Sequence, residues 1–427
     1  MIENNDVAAY DVAVISAGMA GLSAAITAAD QGGRVVLLDA RTALGGRART
    51  HTRDGYALNE GPHALYVDGA AMAFLREIGC EPAGGVPDAG GGIGVDGELT
   101  GGFPATAGSL LRTPLLKGDR LAMAELFVKL PRMDPGAFAD RSVDSVVREL
   151  LGDGRAGRLG LALYRLSTYY NDPATTSADA GLAQLQLTLK NGVRYLDGGW
   201  QQMVDSLEKA GRDRGVEICA GQKVNEIRPD PEGYLVAAES RAWQARRVVV
   251  AGSPALAAAL LGEFAPITRS WADSARPAVA ACLDVGFADG WHDRAPFALG
   301  IDTPHYLSVH APVADLAPDG HTLVHVMRYL PSNETPDSER DRAACEAFLE
   351  RVRPDWRSAA DHVSFSPRLV ASTDQPCAAR GGLAGRPSVT VPGPDGLFVA
   401  GDWVGSHGVL VDASVASGRT AGWAATR

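Results

Sequence analysis

Lysine is scarce. The chain carries five, Lys117, Lys129, Lys190, Lys209 and Lys223, and its formal net charge is −11. Proteins that grip phosphate backbones need a surplus of Lys and Arg, so this balance argues against nucleic acid as a partner. Cysteine is scarce as well. Cys80, Cys219, Cys282, Cys345 and Cys377 are odd in number, widely scattered and form no CxxC pair. No disulfide framework follows from that spacing, and a reduced, cytoplasmic setting is expected. Long apolar runs are missing, since nothing approaches the roughly 20 residues needed to span a bilayer. Met1 to Asp6 is polar and acidic and lacks the basic and apolar regions of a secretory leader. The chain is therefore expected to be soluble, touching a membrane at most peripherally. Aromatic residues make up 6% of the sequence against 46% hydrophobic residues in all, so Ala, Val and Leu must fill most of the interior.

What the chain does have is length and a series of glycine turns. At 427 residues it is too long for one ordinary core, and two domains are the natural expectation. Asp11 to Ser16, DVAVIS, is a short apolar run suited to a buried parallel strand. It leads into Ser16-Ala17-Gly18-Met19-Ala20-Gly21 and an Ala-rich helical stretch. Arg34 to Leu38, RVVLL, reads as a second buried strand, with Asp39, Ala40 and Arg41 at its end. Strand, glycine turn, helix, strand and acid within about 30 residues is the layout of a dinucleotide-binding βαβ unit. Backbone N–H groups of the turn and the helix N-terminus then face a pyrophosphate. Gly21 lets the helix lie close on the strand. The Asp39 carboxylate accepts hydrogen bonds from a ribose diol and repels the extra phosphate of NADP. Ser16 departs from the G-x-G-x-x-G pattern at its first glycine, where the tight turn is made. A non-glycine residue in a strained conformation costs roughly 1–3 kcal/mol, so Ser16 either lends its hydroxyl to a phosphate or weakens binding.

Leu44-Gly45-Gly46-Arg47-Ala48-Arg49-Thr50 follows the second strand, and Gly61-Pro62-His63 comes next. With these segments the chain resembles the flavin amine oxidase and phytoene desaturase superfamily. The resemblance recurs at Leu196-Asp197-Gly198-Gly199-Trp200. It recurs again near the C-terminus, where a strand ends in Gly401 and Asp402 and Val411 to Gly418 opens a helix of small residues. It covers both ends and the centre of the chain, and it implies FAD as the cofactor. On that resemblance Gly46 and Arg47 meet the pyrophosphate and flavin, Gly61 and Pro62 the ring, and the backbone of Val224 the adenine. Asp402 meets the ribityl-phosphate portion. The helix beginning at Leu410 and Val411 aims its positive end at the flavin carbonyl next to N1, where it stabilises the charge of the reduced ring.

The implied fold is α/β: a Rossmann-type, glutathione-reductase-like FAD-binding domain interleaved with an α+β substrate domain. The first is expected from residues 1–75, 191–265 and 380–427, the second from residues 76–190 and 266–379. Helical patterns fill the first insertion, with Asp96-Gly97 as a hairpin turn. VAACLDVGF, HYLSVH and HTLVHVMRYL read as strands in the second. His321 and His325 share a face of the last run and read as structural, since a metal site needs more ligands than two. No metal is expected.

Flavin enzymes of this kind need position more than catalytic residues: a substrate C–H close to flavin N5, with water excluded. His63, Trp403 and His407 are the candidate catalytic residues, His63 as a proton donor or acceptor at the flavin edge. Tyr66, Tyr169 and Tyr170 are candidates for the pocket lining. Amine oxidases of the superfamily commonly place a lysine near N5 and an aromatic residue just before the closing helix. This chain has no lysine from 277 to 330 and has Leu410 at the second position. The expected reaction is hydride transfer from a small apolar metabolite to flavin N5, a phytoene-desaturase-like dehydrogenation of a C–C bond, with O2 or another electron acceptor. Two alternatives stay open. One is a flavin amine or amino-acid oxidase. The other, prompted by Ser16, is a redox-neutral FAD-dependent isomerase or cyclase, or a non-catalytic binding protein on the same fold.

Overall fold

The computed structural model describes residues 9–88, 90–239, 241–335 and 337–427. The acidic N-terminus, Met1–Asp6, lies outside them. Near-continuous apolar runs make Ala9–Ile15, Val35–Leu38 and Leu397–Val399 strands that can be buried on both faces. They belong to a seven-stranded sheet in the order Glu217–Cys219, Val35–Leu38, Ala9–Ile15, Ala242–Val250, Gly233–Ala238, Val224–Asp230, with Leu397–Val399 also paired to Ala242–Val250. Its centre is parallel, and the strands from 224 to 238 form an antiparallel edge. The helices Met19–Asp30 and Leu410–Ala424 pack together on this sheet. A Cβ on Gly418 or Gly422 would stand 2.2 Å from the carbonyl oxygen of Ala20 or Ala24, so glycine is what permits the backbones to touch. Small residues thus do the filling that scarce aromatics cannot.

The second sheet also has seven strands, ordered Ala360–Ser372, Ala278–Phe287, Thr322–Leu330, His305–Ala311, Phe297–Gly300, Ile93–Asp96, Leu99–Gly102. All neighbours are antiparallel except Phe297–Gly300 with Ile93–Asp96. The three strand runs read from the sequence fall here, and Asp96-Gly97 closes the expected hairpin. Alternation gives the sheet two unlike faces. Leu283, Val285, Phe287, Val324, Val326, Leu307 and Val309 cluster with Phe348 and Leu349 of the helix Ser338–Val352. Cys282, Asp284, His325, Ser308 and His310 lie on the other face, toward the first sheet's domain. Helices between Ala107 and Asn191 pack over part of that inner face through Leu115, Met123, Leu159 and Leu182, against Leu299, Met327 and Tyr329. The fold is the expected α/β class, a Rossmann-type domain with an α+β partner. Among the described residues no helix is long and apolar enough to cross a membrane.

Candidate functional site

The first glycine turn is held by backbone and one carboxylate. Ser16 has φ 85°, the left-handed region a serine rarely enters. A Cβ on Gly21 would fall 1.8 Å from the Ser16 carbonyl oxygen, so only glycine lets this helix start against this strand. Asp39 is buried, and its carboxylate accepts from the Ala17 N–H at 2.6 Å and from the Arg41 N–H at 2.8 Å. It ties the turn to the end of the second strand, while Ala40 and Arg41 stay exposed. Met19 and Ala20 are buried at the helix start. The second glycine turn lies on the first: the Gly45 N–H donates to Ala17 O at 2.8 Å, and a Cβ on Gly46 would be 3.6 Å from the Gly18 Cα. Val224 is buried beside the Asp39 loop, which receives the Gln222 and Gly221 N–H groups at Asp39 O and Arg41 O.

The other end of the crevice is built around Asp402, which is 1% exposed. Arg47 donates to it at 2.8 Å, and the Thr373 N–H and hydroxyl donate as well. Burial pushes the Asp402 carboxyl up, but the Arg47 guanidinium and the Thr373 bonds more than offset it and hold the acid ionised below its ordinary range. Arg386 donates to Asp402 O and Gly408 O, fixing the loop between Gly401 and the last helix. Leu410 opens that helix with φ 55°, and Val411 is buried in its first turn. Asp412, next along, accepts from the Ala71 N–H at 2.8 Å and so caps the neighbouring helix Ala70–Glu77.

Three helix starts therefore meet around the crevice, and they differ. Ala70–Glu77 is satisfied by Asp412. Met19–Asp30 and Leu410–Ala424 have no side-chain cap. A helix beginning in the interior with open N–H groups is a site for an anion or a carbonyl oxygen. Two such starts, a cradle of Gly18, Gly45 and Gly46, and a buried acid at either end fit a flavin dinucleotide.

Between the ends runs Gly61-Pro62-His63. Gly61 has φ 104° and lies against Cys282 and Leu369 of the second sheet. Pro62 O accepts from the Tyr169 hydroxyl at 2.7 Å. The His63 Nδ1 is 3.0 Å from Gly61 O, and its ring meets Trp200 edge-on at 4.6 Å. His63 and Tyr169 are half-buried, and the Tyr169 hydroxyl holds the carbonyl of the residue before His63. Burial lowers the imidazole's proton affinity, against the pull of the Gly61 carbonyl, and keeps His63 neutral. Tyr66 is buried with its hydroxyl donated to Ser167 O, and Tyr170 is wholly enclosed.

Two sequence expectations are corrected. Trp403 is 1% exposed, donates its indole N–H to Gly252 O at 2.8 Å and packs on Trp271, so it is a core residue and not a catalytic one. His407 is exposed beside Ser406 and does not join the buried groups around Asp402. His321 and His325 also separate. His321 precedes its strand and pairs with Asp361, whereas His325 is buried against Asp284. Residues missed in the sequence include Thr373, Arg386 and Asp412, and the Asn59 side chain, which joins Thr50 to the Trp200 N–H. Asp412 stood within a recognised motif. The others carried no local signal, because their partners are far away in sequence.

Against known proteins, the profile of the family described as flavin containing amine oxidoreductase matches residues 19–425. The carotenoid 3,4-desaturase of Haloarcula japonica is 27% identical over 265 residues, 54% of this chain and 53% of that protein. The chain thus spans about half the length of that relative. The coproporphyrinogen III oxidase of Propionibacterium freudenreichii is 24% identical over 419 residues, covering 80% of this chain and 76% of the relative. Among solved structures, wild-type putrescine oxidase bound to putrescine superposes with a TM-score of 0.75 at 18% identity, over 98% of this chain and 99% of the other.

Proposed function

Since the chain belongs to the family of flavin-containing amine oxidoreductases and is an FAD-dependent oxidoreductase, we propose that it dehydrogenates a C–C bond of a small apolar metabolite. The reading rests on the lysines. All five are exposed, so none reaches the space beside His63 and Tyr169. An aliphatic Leu410, not an aromatic ring, opens the closing helix. The uncovered groups are a neutral imidazole and a phenol whose proton is held by burial. Neither group carries a charge that would select an ammonium group.

In this reading Ser16, Ala17, Gly18, Met19, Ala20, Gly21, Gly46 and Arg47 hold the pyrophosphate. Asp39 and the Val224 backbone hold the adenosine end, and Asp402 the ribityl end. Gly61 and Pro62 lie along the ring, and the helix start at Leu410 and Val411 faces its carbonyl. Bound FAD supplies the hydride acceptor. The Gly61–His63 segment, clamped by Tyr169 and Cys282, keeps the substrate face rigid and shielded.

The decisive measurement is the flavin spectrum of the purified protein mixed anaerobically with candidate compounds. Bleaching by an apolar hydrocarbon-like metabolite, with simple amines and amino acids inert, is expected. Rapid peroxide formation from amines would replace this reading with that of an amine oxidase. Double-bond migration without bleaching would replace it with an isomerase.

A further inference from the structure

Two buried acids stand at the end of the crevice where the last helix begins, and only one of them has a counter-charge. Asp402 is held by Arg47 and Thr373. Asp412, in the first turn of Leu410–Ala424, is 2% exposed. Its Oδ1 accepts the Ala71 N–H at 2.8 Å, and its Oδ2 is buried with no hydrogen-bond partner among the described residues. The fit is close. A Cβ on Gly69 would stand 2.4 Å from Oδ1, and one on Gly408 3.0 Å from the Asp412 Cβ. Glycine at both positions makes the room for this carboxyl. Gly69 also leaves Ala70–Glu77 without a side-chain cap of its own, so the cap comes from the neighbouring helix.

Among the described residues no charged side chain pairs with Asp412. Leu65–Tyr66 brings Tyr66, whose hydroxyl is donated to Ser167 O and kept protonated by burial. Ala70–Glu77 carries Arg76 and Glu77 only at its far end, where Glu77 pairs with Arg419. Met19–Asp30 carries no charge before Asp30. Arg386 reaches the loop before the helix but is engaged by Asp402 O and Gly408 O. Burial therefore pushes the Asp412 carboxyl up to about 6, against the Ala71 N–H that favours its charge. Capping alone does not account for it. A cap needs one acceptor atom, and Ser, Thr or Asn supplies that without burying an ionisable group.

We propose that Asp412 is a proton-linked positioning residue of the flavin site, taking up a proton when the ring gains charge. The inference rests on the placement of FAD given above, with the ring carbonyl at the start of Leu410–Ala424, and not on the identity of the substrate. A helix start acts as roughly half a positive charge. One carboxylate charge within its first turn more than cancels that, so the start supports a reduced ring only when Asp412 is neutral. Hydride transfer delivers two electrons and one proton and leaves one negative charge added beside the helix start. Repulsion from that charge favours the protonated acid. Asp412 then gains one proton from water and no electron, and its carbonyl oxygen still accepts from Ala71. Below pH about 6 the acid is protonated before and after reduction. Just above that pH it is ionised before and protonated after, and the extra proton is taken up there. At higher pH still it is ionised in both states.

Asp412→Asn keeps an acceptor for the Ala71 N–H and is neutral at every pH. The holoenzyme is reduced with dithionite, without substrate, and its reduction potential is followed against pH. Just above pH about 6 the wild-type potential should fall up to about twice as steeply as that of Asp412→Asn, because about two protons in place of one accompany the two electrons. The two curves should meet at low pH, and the variant should be the easier to reduce at high pH. The reduced-minus-oxidised infrared difference spectrum reads the acid directly. The wild type should gain a protonated-carboxyl band in that pH window, and the variant should lack it. Parallel potential curves, or a wild-type spectrum without the band, overturn the proposal. A folded Asp412→Asn that binds no FAD also overturns it, since the residue is then a structural strut. If the variant does not fold, the wild-type band and its pH window decide alone. Bleaching by amines would replace the C–C reading and leave this result standing, whereas protein that takes up no FAD overturns both.

Discussion

The two sheets handle polar groups in opposite ways. The parallel strands are buried on both faces, so side chains along them are apolar and chemistry is left to their ends: Ser16 after Ala9–Ile15, Asp39 after Val35–Leu38, Gly401 and Asp402 after Leu397–Val399. These ends work largely through backbone N–H groups and helix starts. The antiparallel sheet has one face under the helix Ser338–Val352 and the other against the crevice, and alternation lets a single strand serve both. Ala278–Phe287 puts Leu283, Val285 and Phe287 into a core and Cys282 and Asp284 on the opposite face. A parallel sheet therefore offers a rim for binding, and a sided antiparallel sheet offers a wall that can carry buried polar groups.

The largest effects should separate the two faces of that wall. Phe287 is 0% exposed, with the Arg353 guanidinium 3.9 Å above its ring. Phe287→Ala should lower stability by about 3–5 kcal/mol in urea unfolding and leave the bleaching rate of folded protein unchanged. A loss of about 1–3 kcal/mol should follow Asp284→Ala, because the buried His325 Nδ1 is left without its partner. Replacing both, in Asp284→Leu with His325→Leu, should recover most of that stability. If the double variant is as unstable as the single one, the inner face is packing and the contrast between the faces fails.

A smaller effect belongs to the rim. Burial pushes the Asp412 carboxyl up to about 6 from an ordinary value of 3.8, against the Ala71 N–H that favours its charge. The folded state thus binds this proton more tightly than the unfolded chain does. Its contribution is fully present below pH 3.8 and is lost as pH rises toward about 6. At about 1.4 kcal/mol per pH unit, wild type should lose about 3 kcal/mol relative to Asp412→Asn across that window. Parallel stability curves for the two proteins would show that folding leaves the proton affinity of Asp412 unchanged.

The rim was legible in the sequence because its signals are local. DVAVIS, the glycine turn, RVVLL and Asp39 lie within one short stretch, and each glycine that matters sits beside the backbone it must clear. The wall was only half legible. VAACLDVGF identifies a strand, and the alternation of Cys282, Leu283 and Asp284 shows that it has two faces. Which residue meets Asp284 depends on register with a strand 41 positions away, and no local pattern specifies that. His325 consequently read as the companion of His321. Trp403 and His407 failed for a related reason. Their closeness to Asp402 in sequence suggested closeness to the flavin, but the loop turns one into the core and the other outward.

Ser16 is where the rim departs furthest from its pattern, and its replacement should have the smallest effect. A left-handed serine costs roughly 1–2 kcal/mol, and Ser16→Gly removes that strain. Glycine also gives the unfolded chain more freedom, which takes back about 0.5–1 kcal/mol. The net gain in stability should therefore stay below about 1.5 kcal/mol. Because the turn already holds φ 85°, relieving it should leave FAD affinity within about twofold unless the hydroxyl itself touches the cofactor. A hydrogen bond from that hydroxyl to a phosphate is worth about 1.5–3 kcal/mol, so its loss would weaken binding more than tenfold. Titration of the cofactor-free variant with FAD distinguishes the two. Unchanged affinity means that the rim works through backbone alone, while a large loss means that serine was placed there as a side-chain donor.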